Sequence, residues 1–177
     1  MMDLTTIPTP AVVLSDHLKS FWSRQIKLHT HGQYSHAMWL RKNGKFLSQN
    51  GILREVDPVL YLNGDYRLKF FANPALGLEW QDKAIETWLE EKLKNPTRYD
   101  WLGIIGHLLH RRRLQSPGKY YCSELVWEPF VKILGYKPIY PSPAELDYLL
   151  PKIGWEVQAI YDPTIQKEMH HALRRNL

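Results

Sequence analysis

The sequence predicts an α+β domain built on an antiparallel sheet, on two observations. Two Asn-Gly pairs, Asn43-Gly44 and Asn50-Gly51, divide "QYSHAMWLRKNGKFLSQNGILREV" into strand, turn, strand, turn, strand. Asn-Gly is the strongest short hairpin signal, because both residues tolerate the positive φ that tight hairpin turns require. Helical apolar spacing becomes clear only later, in "EWQDKAIETWLEEKLKN". Strands therefore come early and are joined by hairpins, the order of an α+β fold rather than of a βαβ array.

The first thirty residues are mixed, and "DHLKSFWSRQIKLHT" reads as a short helix followed by a turn. After the three strands, "YRLKFFANP" is a further strand closed by Pro74. In the helix that follows, Trp80, Ala84, Ile85, Trp88, Leu89 and Leu93 form one apolar stripe, and Asn95-Pro96 ends it. "YDWLGIIGHLLHRRR" reads as a second, more apolar helix, and "SPGK" as a loop. A third helix starts around "YYCSELVWEPFVKILG", with Gly135 as its C′ residue and Pro129 kinking it or breaking its first turn. "YKPIYPSPAEL" is a loop leading into a short helix, and "GWEVQAIYDP" a strand. The last fourteen residues read as a terminal helix or tail, and no repeat or low-complexity segment interrupts the chain.

Composition narrows the class. A length of 177 residues fits a single domain spanning 1–177, and 44% hydrophobic with 23% charged residues excludes general disorder. The net charge of +5 is mildly basic, and its densest run, "HLLHRRR" at His107–Arg113, reads as the solvated end of a helix rather than a nucleic-acid patch. One cysteine excludes an intramolecular disulfide and any multi-cysteine metal site. The N-terminus has neither a basic n-region nor a long apolar h-region, so the chain is expected to be cytoplasmic when made. No apolar run approaches ~18 residues, so no transmembrane segment is expected. The sequence shows no Gly-rich phosphate loop, no GxSxG elbow and no HExxH, and no cofactor is implied.

Chemistry concentrates at that one cysteine. Cys122 stands where a helix begins, followed by Ser123, a residue type that caps helices, and Glu124, whose charge suits the first turn. A thiolate is stabilised at a helix N-terminus, and thiolate is the form that attacks carbonyl carbon. The backbone N–H of Cys122 would serve there as an oxyanion donor. The alternative is a buried small hydrophobe that happens to precede a helix. Of eight histidines, His36 in "YSHAMWL" lies within an expected strand, which fixes a side chain better than a loop does. His29 and His31 lie in the loop-like "HTHGQ", and with His36 they offer a three-histidine metal set, though the loop and strand would have to converge.

"YSHAMWL" followed much later by "YYCSELV" resembles the permuted branch of the NlpC/P60 papain-like superfamily, the YiiX/YebB/YaeF-like cysteine hydrolases. "FWSRQIKLHTHGQYSH", "TRYDW" and "LGYKPIYPSPAEL" extend the resemblance from about Ser20 to Leu146. It implies a circularly permuted papain-like fold, with the cysteine helix packed on the antiparallel sheet and His36 on a strand opposite Cys122. Permutation accounts for histidine preceding cysteine, since the chemistry needs only that they meet in space. Relatives often carry a Glu one strand after the histidine. Counting across the Asn43-Gly44 turn, that position falls on Ser48, which accepts a hydrogen bond from imidazole Nδ1 but carries no charge. Gln49 points to the opposite face by period-two alternation.

The expected function is a cysteine hydrolase acting on amide or ester bonds through a thioester, with Cys122, His36 and Ser48 as site residues. The resemblance implies peptidoglycan peptides, other amides or acyl lipids as substrates; a monomer with no nucleic-acid partner is expected. Related activities are lipid acyltransferase or thioesterase chemistry. Trp39, Tyr120 and Tyr121 flank the motifs as cleft candidates, with Trp39 better explained by core packing. The contrasting reading is a catalytically inactive binding module on the same fold. A wall-active enzyme without a leader would leave the cell by lysis or within a virion.

Overall fold

The computed structural model describes residues 2–73, 79–96, 121–139 and 141–165. In chain order its elements are β1 (Ala11–His17), α1 (Phe21–Thr30), β2 (His36–Leu40), β3 (Phe46–Asn50), β4 (Ile52–Val56), β5 (Tyr66–Ala72), α2 (Glu79–Lys94), α3 (Cys122–Lys132), α4 (Pro143–Lys152) and β6 (Glu156–Tyr161). The six strands form one sheet in the order β4-β3-β2-β1-β5-β6. Every neighbouring pair is antiparallel, which makes this an α+β fold.

Both Asn-Gly turns fall where the sequence puts them. Gly44 and Gly51 have φ of 76° and 85°, values that a Cβ would strain. Asn43 also helps by accepting the Lys45 N–H on its side chain at 3.1 Å. Strand β1 was not foreseen, although it is central, paired with β2 on one side and β5 on the other. Six of its seven residues are buried, so the polar/apolar alternation that betrays a half-exposed strand is missing.

Two cores sandwich the sheet. On one face Val12, Leu14, Ala37, Trp39, Leu47 and Phe71 pack against Ile85 and Leu89 of α2, Leu125, Val126 and Phe130 of α3, and Leu146 and Leu150 of α4. On the other, Val13, Met38, Leu40, Phe46, Leu68 and Phe70 pack against Ile7 and Tyr61. Trp39 is fully buried and stacks on Phe130 with ring centroids 5.9 Å apart, so it is a core residue and not a cleft wall. Buried Arg41, just after β2, ties α2 to the sheet. Its Nε donates to Glu86 at 3.0 Å, while its terminal nitrogens reach Glu55 at 2.5 Å and Glu90 at 3.1 Å.

Three local expectations change. Helix α3 runs on through Pro129 to Lys132, so the proline does not break it. Gly135 has a φ of 74° but lies beyond the Ile133 cap instead of directly after it. Ser123 does not cap α3, because it lies inside the helix and its hydroxyl donates to the Pro141 carbonyl at 2.6 Å. The helix expected over "YDWLGIIGHLLHRRR", the basic run His107–Arg113, the "TRYDW" element, Tyr120 and the C-terminal tail from residue 166 lie outside the described residues. Among the described residues no helix is long and apolar enough to cross a membrane.

Candidate functional site

His36 is the first residue of β2 and pairs with Ser15 of β1. Alternation puts His36, Met38 and Leu40 on one face of the sheet. Met38 pairs with Ser48 of β3, so Ser48 shares that face and Gln49 lies on the other. The count across the hairpin therefore finds the right partner: His36 Nε2 and Ser48 Oγ are 2.8 Å apart. The nitrogen differs from expectation. Nε2, rather than Nδ1, meets the serine.

Sequence reasoning missed a third polar group. The Tyr61 hydroxyl lies 3.4 Å from Ser48 Oγ, giving the row His36, Ser48, Tyr61. Tyr61 follows a single 3-10 turn, Pro58–Leu60, that opens with the Asp57 side chain accepting from Val59 N–H. The Asp-Pro pair signals that turn, but no pattern in the sequence says that the next tyrosine folds back onto the sheet.

Burial depresses the basicity of His36, with its pKa lowered from 6.5 to about 4, because the low-dielectric surroundings penalise imidazolium. Ser48 supplies no compensating charge. A standing thiolate–imidazolium pair, in which His36 helps hold Cys122 ionised, is therefore disfavoured at neutral pH. The ring is neutral at neutral pH.

Cys122 is the first residue of α3 and is 4% exposed. Tyr121 before it is extended and makes no side-chain cap. The N–H groups of the first turn have no acceptor within the helix, and together with the macrodipole they make this end electropositive. Helix α3 packs on β2 and β3. A chain of contacts fixes which end of the sheet its N-terminus occupies. Ser123 is bonded to Pro141, and α4 starts at Pro143 behind a Ser142/Glu145 capping box. Ala144 in its first turn abuts Gly32, where an added Cβ would fall 2.2 Å from the Ala144 Cβ. Gly32 is four residues before His36. Cys122 and His36 thus open their elements at the same end of the sheet.

The two side chains start from opposite faces, since α3 covers the Trp39 face while His36 alternates with Met38. The expectation that His36 faces the cysteine helix is therefore corrected: strand alternation turns its side chain to the other face of the sheet. Among the described residues the His36 ring is hydrogen-bonded to Ser48 and not to Cys122. An open cleft of about 560 Å³ lies along the Gly32–Ala144 seam, lined by Thr30, His31, Gln33, Lys69 and Tyr148 among others. The three-histidine metal set does not form. His29 is in the last turn of α1, His31 caps it with a φ of 52°, and His36 is on the sheet. Among the described residues no group of three or more His, Cys, Asp or Glu side chains is gathered to hold a metal.

No family model and no curated protein matches the chain. Among solved structures the chain is similar to the metalloprotein yiiX from Escherichia coli O157:H7 (DUF1105), with a TM-score of 0.54 at 19% identity over 74% of this chain and 68% of that one. At that identity the likeness is one of fold: the chain shares its α+β architecture with yiiX.

Proposed function

We propose that the protein is a cysteine hydrolase of amide or ester bonds, with Cys122 as nucleophile, His36 as general base and acid, and Ser48 as the group that orients the imidazole. The observation that carries the reading is the Ser48-held His36 at the start of β2, at the same end of the sheet as a cysteine that starts a helix. The permuted papain-like architecture of the NlpC/P60 superfamily belongs to this proposal too. The yiiX-like fold and the "YSHAMWL" and "YYCSELV" motifs support it.

The chemistry follows from the charges. With Nε2–H donated to Ser48, Nδ1 is the basic nitrogen. It takes the Cys122 proton as sulfur attacks the carbonyl carbon, so base catalysis accompanies attack instead of preceding it. The oxyanion is stabilised by first-turn N–H groups of α3. Collapse of the intermediate breaks the bond to the leaving amine or alcohol, which receives the proton from Nδ1 and leaves a thioester on Cys122. Water then gives a proton to Nδ1, attacks the thioester, and releases the acid while Cys122 regains its proton. YiiX is named a metalloprotein; among the described residues of this chain no group of three or more His, Cys, Asp or Glu side chains is gathered to hold a metal ion.

Mass spectrometry of products from peptidoglycan fragments and from acyl-lipid mixtures tests the reading. Hydrolysis or acyl transfer that disappears in Cys122→Ala supports it, and equal product from the variant refutes it. A second reading, an inactive binding module, is favoured by two observations: among the described residues the His36 ring is hydrogen-bonded to Ser48 and to no carboxylate, and its basicity is depressed.

A further inference from the structure

The row His36, Ser48, Tyr61 contains a choice that a carboxylate would not. A carboxylate only accepts, so it forces the imidazole nitrogen facing it to carry the proton. Serine can accept or donate. If Ser48 donates to Nε2, the ring carries its proton on Nδ1, and that nitrogen can no longer take one from a thiol. If Ser48 accepts from Nε2–H, its own proton must go elsewhere. Ser48 is 1% exposed, and a hydroxyl so buried needs an acceptor. Among the described residues its side chain has two polar neighbours, His36 Nε2 and the Tyr61 hydroxyl.

We propose that Tyr61 is a positioning residue: its hydroxyl oxygen accepts the Ser48 proton, which turns Ser48 Oγ onto His36 Nε2–H and fixes the tautomer whose Nδ1 is bare. The inference rests on the hydrolase reading, which gives a bare Nδ1 its use. Tyr61 is well held for the purpose. Its N–H donates to the Pro58 carbonyl at 2.9 Å, and its ring packs against Phe46 and Tyr66 at centroid distances of 5.5 and 4.7 Å. The spacing of 3.4 Å to Ser48 is at the long end for two hydroxyls, so the effect is that of one ordinary neutral hydrogen bond. Here Tyr61 and Ser48 together replace an acceptor-only residue.

The test is long-range ¹H–¹⁵N correlation spectroscopy of the uniformly labelled full chain, with the His36 ring assigned by its loss in His36→Gln. Wild type should show protonated Nε2 and unprotonated Nδ1, and Cys122→Ser should show the same pattern. Tyr61→Phe keeps the ring packing and should shift the tautomer ratio toward Nδ1–H by about fivefold, the effect of one neutral hydrogen bond. Adding Ser48→Asp to Tyr61→Phe should restore Nε2–H, because a carboxylate needs no help. A wild-type ring protonated on Nδ1, or a ratio unchanged in Tyr61→Phe, overturns the proposal. Neither readout involves sulfur, so failure of the hydrolase reading would show in Cys122 acylation and not in these spectra.

Discussion

The part-buried imidazole of His36 should make the fold acid-sensitive in a defined window. Its folded-state pKa is about 4, against an ordinary 6.5. Between those values the unfolded chain binds a proton that the folded protein excludes, so stability falls as pH falls. The contribution is complete above pH 6.5 and is lost as pH drops through about 4. The gap corresponds to about 3 kcal/mol at most, since each unit is about 1.4 kcal/mol. Partial exposure of His36 trims it toward about 2 kcal/mol. The perturbation is His36→Gln, which keeps a polar group beside Ser48 but cannot titrate. Urea unfolding followed by tryptophan fluorescence, from about pH 7 to 4, gives stability curves for both proteins. Carboxylates titrate alike in each, so the difference isolates the imidazole. Wild type should lose about 2–3 kcal/mol more than the variant across the window. A difference that stays flat would mean that His36 is solvated like a surface histidine, and the neutral-base argument would fail with it.

Three further outcomes follow from the same geometry. Gly32→Ala should destabilise the fold by about 1–3 kcal/mol in thermal unfolding, because its Cβ would meet the Ala144 Cβ, and Ala144→Gly in the same chain should relieve the clash. Arg41→Met should be strongly destabilising, by about 3–5 kcal/mol in urea titration, as it strands the buried Glu86 carboxylate. Iodoacetamide alkylation of Cys122, read by intact mass near neutral pH, should be slower in His36→Gln than in wild type, because the neutral imidazole takes the thiol proton as sulfur attacks. An equal rate in both proteins would mean that the imidazole gives the thiol no assistance.

Hairpin geometry was legible because Asn-Gly pairs and period-two alternation are local. They sufficed to pair His36 with Ser48 and to turn Gln49 away. Strand β1 was illegible for the opposite reason: helices cover one face and the Ile7–Tyr61 layer the other, so no alternation survives. Even its one charge, Asp16, is fully buried and satisfied by Ser23 and Lys27 of α1, both at 2.6 Å. Which imidazole nitrogen faces Ser48, and that Tyr61 stands behind it, depend on how a turn folds back across the sheet. The same holds for Ser123, whose capping composition was overridden by a tertiary bond to Pro141.

Acylation of Cys122 tests the central claim most directly. The full chain is mixed with an activated ester, quenched over a time course, and read by intact mass and peptide mapping. A single acyl group should form on Cys122 and then be hydrolysed. His36→Gln should slow acylation by about 10²-fold or more, the usual scale of general-base loss. If Cys122 acylates equally fast in wild type and His36→Gln, or only at the rate of a free thiol, the two residues do not act together and the hydrolase reading is contradicted.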